Sequence, residues 1–83
     1  MKITVKYFAS IREALGQGSE TLDTQSATLA ALRDELLARG GAYAQCLARG
    51  KSVRLALNQV MQDESAALAD GAEVAFFPPV TGG

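Results

Sequence analysis

Two hydrophobic rhythms alternate along these 83 residues, and their order limits the architectures open to the chain. Ile3, Val5 and Tyr7 alternate with Lys2, Thr4 and Lys6, the period-two pattern of a strand with one buried face. Leu29, Leu32 and Leu36 recur instead at three- and four-residue spacing, with Ala31, Glu35 and Arg39 on a wetter side, which predicts an amphipathic helix. Alternation then returns. Val53, Leu55 and Leu57 are set against Ser52, Arg54 and Ala56 up to the turn-prone Asn58, and Glu73 to Phe77 forms a last strand after the Asp70-Gly71 turn.

Punctuation between these segments completes the outline. Ser10 to Glu13 has the spacing of a capping box, predicting a short helical turn to about Leu15 before the Gly16-Gln17-Gly18 turn. Residues 19–23 read as a second strand, hairpin-paired with the first. Ser26 or Thr28 can cap the main helix, and Gly40 with Gly41 stops it. Residues 42–47 predict a further short helix closed by Gly50.

The order strand, strand, helix, strand, strand suits an α+β chain with a mixed sheet and one main helix across its inner face, a β-grasp arrangement. Side-chain parity places Phe8 with Lys2, Thr4 and Lys6, and Phe77 with Glu73 and Ala75, so two aromatics share the outer face while Val74 and Phe76 point to the core. Neighbouring apolar groups on an outer face mark a docking surface.

Composition excludes much else. With 48% hydrophobic and 20% charged residues the chain is globular rather than disordered, and its length suits a single small domain. A net charge of −1 with scattered basic residues argues against nucleic acid as a partner. No apolar stretch has signal-peptide or membrane-spanning length, and the expected location is cytoplasmic, without membrane contact. Histidine is absent, which removes the commonest general base, the Ser-His and Cys-His nucleophiles and most transition-metal sites. Cys46, the only cysteine, reads as apolar filler on a helix. The adjacent acids Asp34-Glu35 point apart on a helix and Asp63-Glu64 read as solvated in a polar turn, so neither pair reads as catalytic, and no glycine-rich phosphate loop is present. The chain lacks the parts of a self-sufficient enzyme.

Its reactive group is then its own end. The sequence closes on Phe76-Phe77-Pro78-Pro79-Val80-Thr81-Gly82-Gly83. Pro78 and Pro79 lack backbone N–H groups and end strand pairing, so residues 1–77 read as the domain and 78–83 as a flexible reactive tail. β-Branched Val80 and Thr81 favour extended backbone, and two glycines without Cβ atoms can thread a narrow channel and present the Gly83 carboxylate.

With these residues in place the chain resembles the small sulfur-carrier subunits of molybdopterin synthase, within the ubiquitin-like β-grasp superfamily. The resemblance covers nearly the whole length. It rests on the run from Asp70 to Gly83, with Tyr7-Phe8-Ala9, Arg12-Glu13 and Leu57-Asn58-Gln59. It implies that Gly83, with Gly82 beside it, is adenylated with ATP by a ubiquitin-activating-like adenylyltransferase, converted to a thiocarboxylate, and inserted into the large synthase subunit, which holds the pterin precursor and the catalytic residues. It implies a non-catalytic sulfur donor, with no permanently bound cofactor or metal. It also adds Met61 and Arg12 to the docking face of Phe8 and Phe77, beside the tail segment Pro78, Pro79, Val80 and Thr81. The same fold and ending suit a thiamine-type sulfur carrier or an archaeal-style protein modifier. An interaction module with an inert tail is the reading from another class.

Overall fold

The computed structural model describes residues 1–79. The chain runs β1 (Lys2–Tyr7), α1 (Ala9–Leu15), β2 (Ser19–Asp23), α2 (Leu29–Leu37), α3 (Gly41–Cys46), β3 (Arg54–Leu57), β4 (Val60–Gln62) and β5 (Glu73–Phe77). The five strands form one sheet in the order β2-β1-β5-β3-β4. β1 and β5 pair in parallel at its centre, and every other pairing is antiparallel. A parallel pair cannot be closed by a tight turn, so the chain between them has to cross over, and α2 lies in that crossover.

Why the core sits on one face follows from parity. Ile3, Val5 and Tyr7 from β1, Leu22 from β2, Leu55 from β3, and Val74 and Phe76 from β5 bury the same side of the sheet, and Leu29, Leu32 and Leu36 of α2 join them in one cluster. Thr28 caps α2, its Oγ1 accepting from the Ala31 N–H at 3.2 Å. Beyond α2, Gly40 and Gly41 have φ of 73° and 54°, a left-handed pair that turns the chain into α3.

Four expectations need correction. The capping box does not form: α1 already begins at Ala9, and Phe8 is its N-cap without a side-chain cap. Ser10 therefore lies inside the first turn, too late to cap it. Second, Gly50 does not close α3: the helix spans Gly41–Cys46, one residue earlier than predicted at each end, with Leu47 as its C-cap. Arg33 supplies donors there, Nε to the Leu47 carbonyl at 2.7 Å and Nη2 to that of Ala48 at 3.0 Å. Third, the sheet has a strand more than predicted. Asn58 and Gln59, with φ of 50° and 69°, form a two-residue hairpin turn that leads from β3 straight into β4. The fourth concerns Ala56, whose parity is outward as predicted but which is only 3% exposed. Its neighbours in the sheet are Ala75 and Met61, and small residues on an outer face are covered by the larger side chains around them.

Candidate functional site

β1 and β5 end side by side, and that placement builds the site. Tyr7 pairs with Phe76 in the parallel ladder, the Phe8 N–H donates to the Phe76 carbonyl at 3.2 Å, and Phe8 and Phe77 follow on the outer face. Their rings stack with centroids 4.7 Å apart and planes 8° from parallel. Offset stacking of two half-exposed rings stabilises each against rotation and leaves one flat apolar face to solvent. The Ala9 φ of 50°, uncommon for a residue with a Cβ, turns the chain out of β1 directly after Phe8.

The row beside the rings is apolar apart from Lys6. Lys6, Ala75, Ala56 and Met61 are neighbours across β1, β5, β3 and β4. Ala75 is 6% exposed and Met61 52%. The Lys6 ammonium lies 3.3 Å from the Glu73 carboxylate, so that cation is already paired on the face. Phe8, Phe77 and Met61, predicted to lie on one surface, thus share the outer face. Arg12 is exposed on α1 and its guanidinium packs against Gly18, where an added Cβ would lie 3.1 Å from Nε.

Phe77 leads without a break into Pro78 and Pro79. These prolines line a groove of about 320 Å³ with Ser10, Ile11 and Ala14 of α1, Cys46 of α3, and Lys51. Cys46 also packs against the core, as its reading as apolar filler required. Val80, Thr81, Gly82 and Gly83 lie outside the described residues.

Two polar clusters went unread in the sequence. In the first, Glu20 Oε2 accepts from the hydroxyls of Tyr7 at 2.7 Å and Tyr43 at 2.9 Å and from Gln17 at 3.0 Å, while Arg39 Nη1 reaches both carboxylate oxygens. Burial by itself raises the Glu20 carboxyl, but the donors from Tyr7, Arg39 and Tyr43 together outweigh it and hold the group below its ordinary 4.5. The Tyr7 hydroxyl moves the other way, raised well above its ordinary 10.0 by burial first and then by the Glu20 carboxylate. The second cluster centres on Arg33, buried to 3% exposure, whose Nη1 lies 3.7 Å from Glu64; Arg49 joins Glu64 at 2.7 Å and Asp34. Both clusters tie helices to strands or loops, and neither includes Phe8 or Phe77. They are structural.

Comparison with known proteins agrees with this geometry. Residues 5–83 match the ThiS family. The chain belongs to that family. It is 40% identical over 81 residues to the molybdopterin synthase sulfur carrier subunit of Haemophilus influenzae, covering 98% of this chain and 99% of the relative. In structure this ThiS-family chain resembles SAMP1 from Haloferax volcanii, with a TM-score of 0.82 and 26% identity over the whole of both chains. It also resembles a chain of the complex of subunits 1 and 2 of the molybdopterin-converting factor from Helicobacter pylori, with a TM-score of 0.71 and 25% identity, again over both whole chains. The β-grasp expectation is met. No helix among the described residues is long and apolar enough to cross a membrane.

Proposed function

We propose that this chain is the sulfur carrier of a molybdopterin synthase, docking through the Phe8–Phe77 face and delivering sulfur from Gly83. The stacked pair carries the reading, because it is continuous through Pro78 and Pro79 with the Gly-Gly end. A partner that covers the rings receives the tail in the same act. The 40% identical relative bears the same role in its name, and the Helicobacter pylori complex joins a related subunit 1 to a subunit 2.

In this reading the Gly83 carboxylate attacks the α-phosphorus of ATP on an adenylyltransferase, pyrophosphate leaves, and a sulfur donor then displaces AMP to give the thiocarboxylate. Adenylation turns a carboxylate oxygen into a leaving group, and the partner contributes the nucleotide site and the electrostatics of the step. The large subunit then supplies the catalytic groups while the carrier supplies sulfur. ATP is the activating partner's substrate, not a resident of this chain.

Intact-mass measurement tests the proposal. Protein purified from cells that also produce the activating enzyme should contain a fraction heavier by the exchange of one oxygen for sulfur, located at Gly83. Carboxylate alone under those conditions overturns it. Residues appended after Gly83 should abolish both activation and sulfur transfer. A second reading, as a protein modifier, draws on the likeness to SAMP1, a small archaeal modifier protein. It predicts Gly83 joined to lysines of other proteins, a linkage that peptide mass spectrometry of cell extracts would reveal.

A further inference from the structure

Directly beside Phe77 the docking face carries a guanidinium that no carboxylate among the described residues neutralises; Arg12, on α1, also lacks an ion pair among those residues but stands against Gly18. Arg33 pairs with Glu64, Arg39 with Glu20, and Arg49 with Asp34 and Glu64. Lys6, the cation in the row beside the rings, is taken by Glu73. Arg54 differs. It is exposed, it lies on the outer face, and its partner across the β3–β5 ladder is Phe77, on which Phe8 stacks just past the end of β1, so the three side chains lie side by side. No carboxylate of the described residues lies within salt-bridge distance of it.

The two acids that share a cleft with Arg54 have other partners. Arg54 and Met61 both line an open cleft of about 570 Å³ whose lining also includes Asp63 and Glu64. Asp63 accepts from the backbone and hydroxyl of Ser65, and Glu64 from Arg49. A partner surface that buries Phe77 must therefore also come down on an uncompensated guanidinium. Burying that group against apolar atoms is costly, whereas a carboxylate meets its planar fork with two parallel hydrogen bonds.

Resting on the carrier reading, we infer that Arg54 sets the electrostatic specificity of the docking face, accepting only a partner that places an Asp or Glu carboxylate beside the pocket for Phe8 and Phe77. A partner with a lysine there is repelled. The guanidinium also steers encounter, so its contribution falls as salt rises.

The test is calorimetric titration of the intact chain into the purified large synthase subunit of the same organism, at low and at high salt. Arg54→Met should weaken binding by about tenfold at low salt and flatten the salt dependence, and Arg54→Glu should weaken it by about a hundredfold. Phe8→Ala should weaken binding while keeping the salt dependence of the unmodified protein. Arg54 is exposed, so the denaturation midpoint of each Arg54 variant should match that of the unmodified chain. If Arg54→Met binds with unchanged affinity and unchanged salt dependence, the inference falls and the carrier reading stands. If the unmodified chain itself fails to bind the large subunit, both fall. Sedimentation of the isolated chain covers the other occupant: a concentration-dependent dimer dissolved by Arg54→Met, with binding to the large subunit unaffected, assigns the guanidinium to a second copy and overturns the inference.

Discussion

Phe76 and Phe77 are adjacent in sequence and do opposite things, because successive strand residues face opposite sides of a sheet. Phe76 is fully buried and stacks on Tyr7 with centroids 6.0 Å apart, whereas Phe77 stacks on Phe8 at the surface. Phe76→Ala should cost about 3 kcal/mol of folding stability, the scale of a large ring removed from a core. Phe8→Ala and Phe77→Ala remove only a stacking contact and should each cost about 1 kcal/mol. Against the large subunit, however, each should weaken binding at least ~10-fold, as for an aromatic at the centre of an interface. Urea denaturation of each variant and titration of its folded form separate the two effects. If Phe8→Ala and Phe77→Ala unfold the domain yet leave affinity unchanged, the rings belong to the core and the docking face is wrong.

At the scale of elements, single residues hold connections that strand and helix propensity leave open. Arg33 stands four residues after Leu29 and three before Leu36, on the stripe of α2 that otherwise buries leucines. Burial lowers its affinity for a proton and Glu64 opposes that effect, yet a guanidinium keeps its charge throughout the accessible pH range. Its hydrogen bonds to the Leu47 and Ala48 carbonyls fasten the end of α3 to α2. Arg33→Met fits the stripe but leaves the Leu47 and Ala48 carbonyls without their donor and removes one of the two cations beside Glu64, so a loss of about 3 kcal/mol is expected in denaturant unfolding. The β3–β4 hairpin offers the opposite case. Gln59 holds a φ of 69°, which costs a residue with a Cβ and nothing for glycine. Gln59→Gly should raise stability by up to about 1 kcal/mol, and a lowered denaturation midpoint would show that the turn is set by something other than local backbone preference.

Across the whole molecule, the Glu20 cluster links β1, β2, α3 and the residues after α2, and it sets how stability depends on pH. The Glu20 carboxyl is held below its ordinary 4.5 in the folded chain. Its contribution is therefore complete above that value and is lost as the pH falls through the lower folded value. Tyr7 binds its proton more tightly when folded, being raised above 10.0. Its contribution is complete below 10.0 and declines as the pH rises past it, since only the unfolded chain releases that proton there. Unfolding free energies measured across the pH range should show both declines. In Glu20→Gln the acid-side decline should shrink and stability at neutral pH should fall by about 2 kcal/mol, because Arg39 loses its carboxylate. An unchanged acid limb in that variant would remove Glu20 from the account.

The sequence by itself determined the strand faces, the main helix and the chemistry at the end of the chain. Period-two and three-to-four spacing are local properties, so Ile3, Val5, Tyr7, Val74 and Phe76 could be assigned to the core and Phe8 and Phe77 to the outer face before any contact was known. The two prolines and the terminal glycines act through their own backbone geometry, and they are legible for the same reason. Tertiary structure decided everything that depends on which segments meet. β4, three exposed residues, has no pattern of its own and exists because Asn58 and Gln59 fold it back on β3. Arg33 and Glu20 look like surface charges until distant partners, from Tyr7 for Glu20 to Glu64 for Arg33, are brought to them. The same holds for Arg54: its outward parity could be read from the alternation, but its place beside Phe77 is a matter of β3–β5 register. Register between strands distant in sequence is set by packing the whole core at once, and no local pattern encodes it.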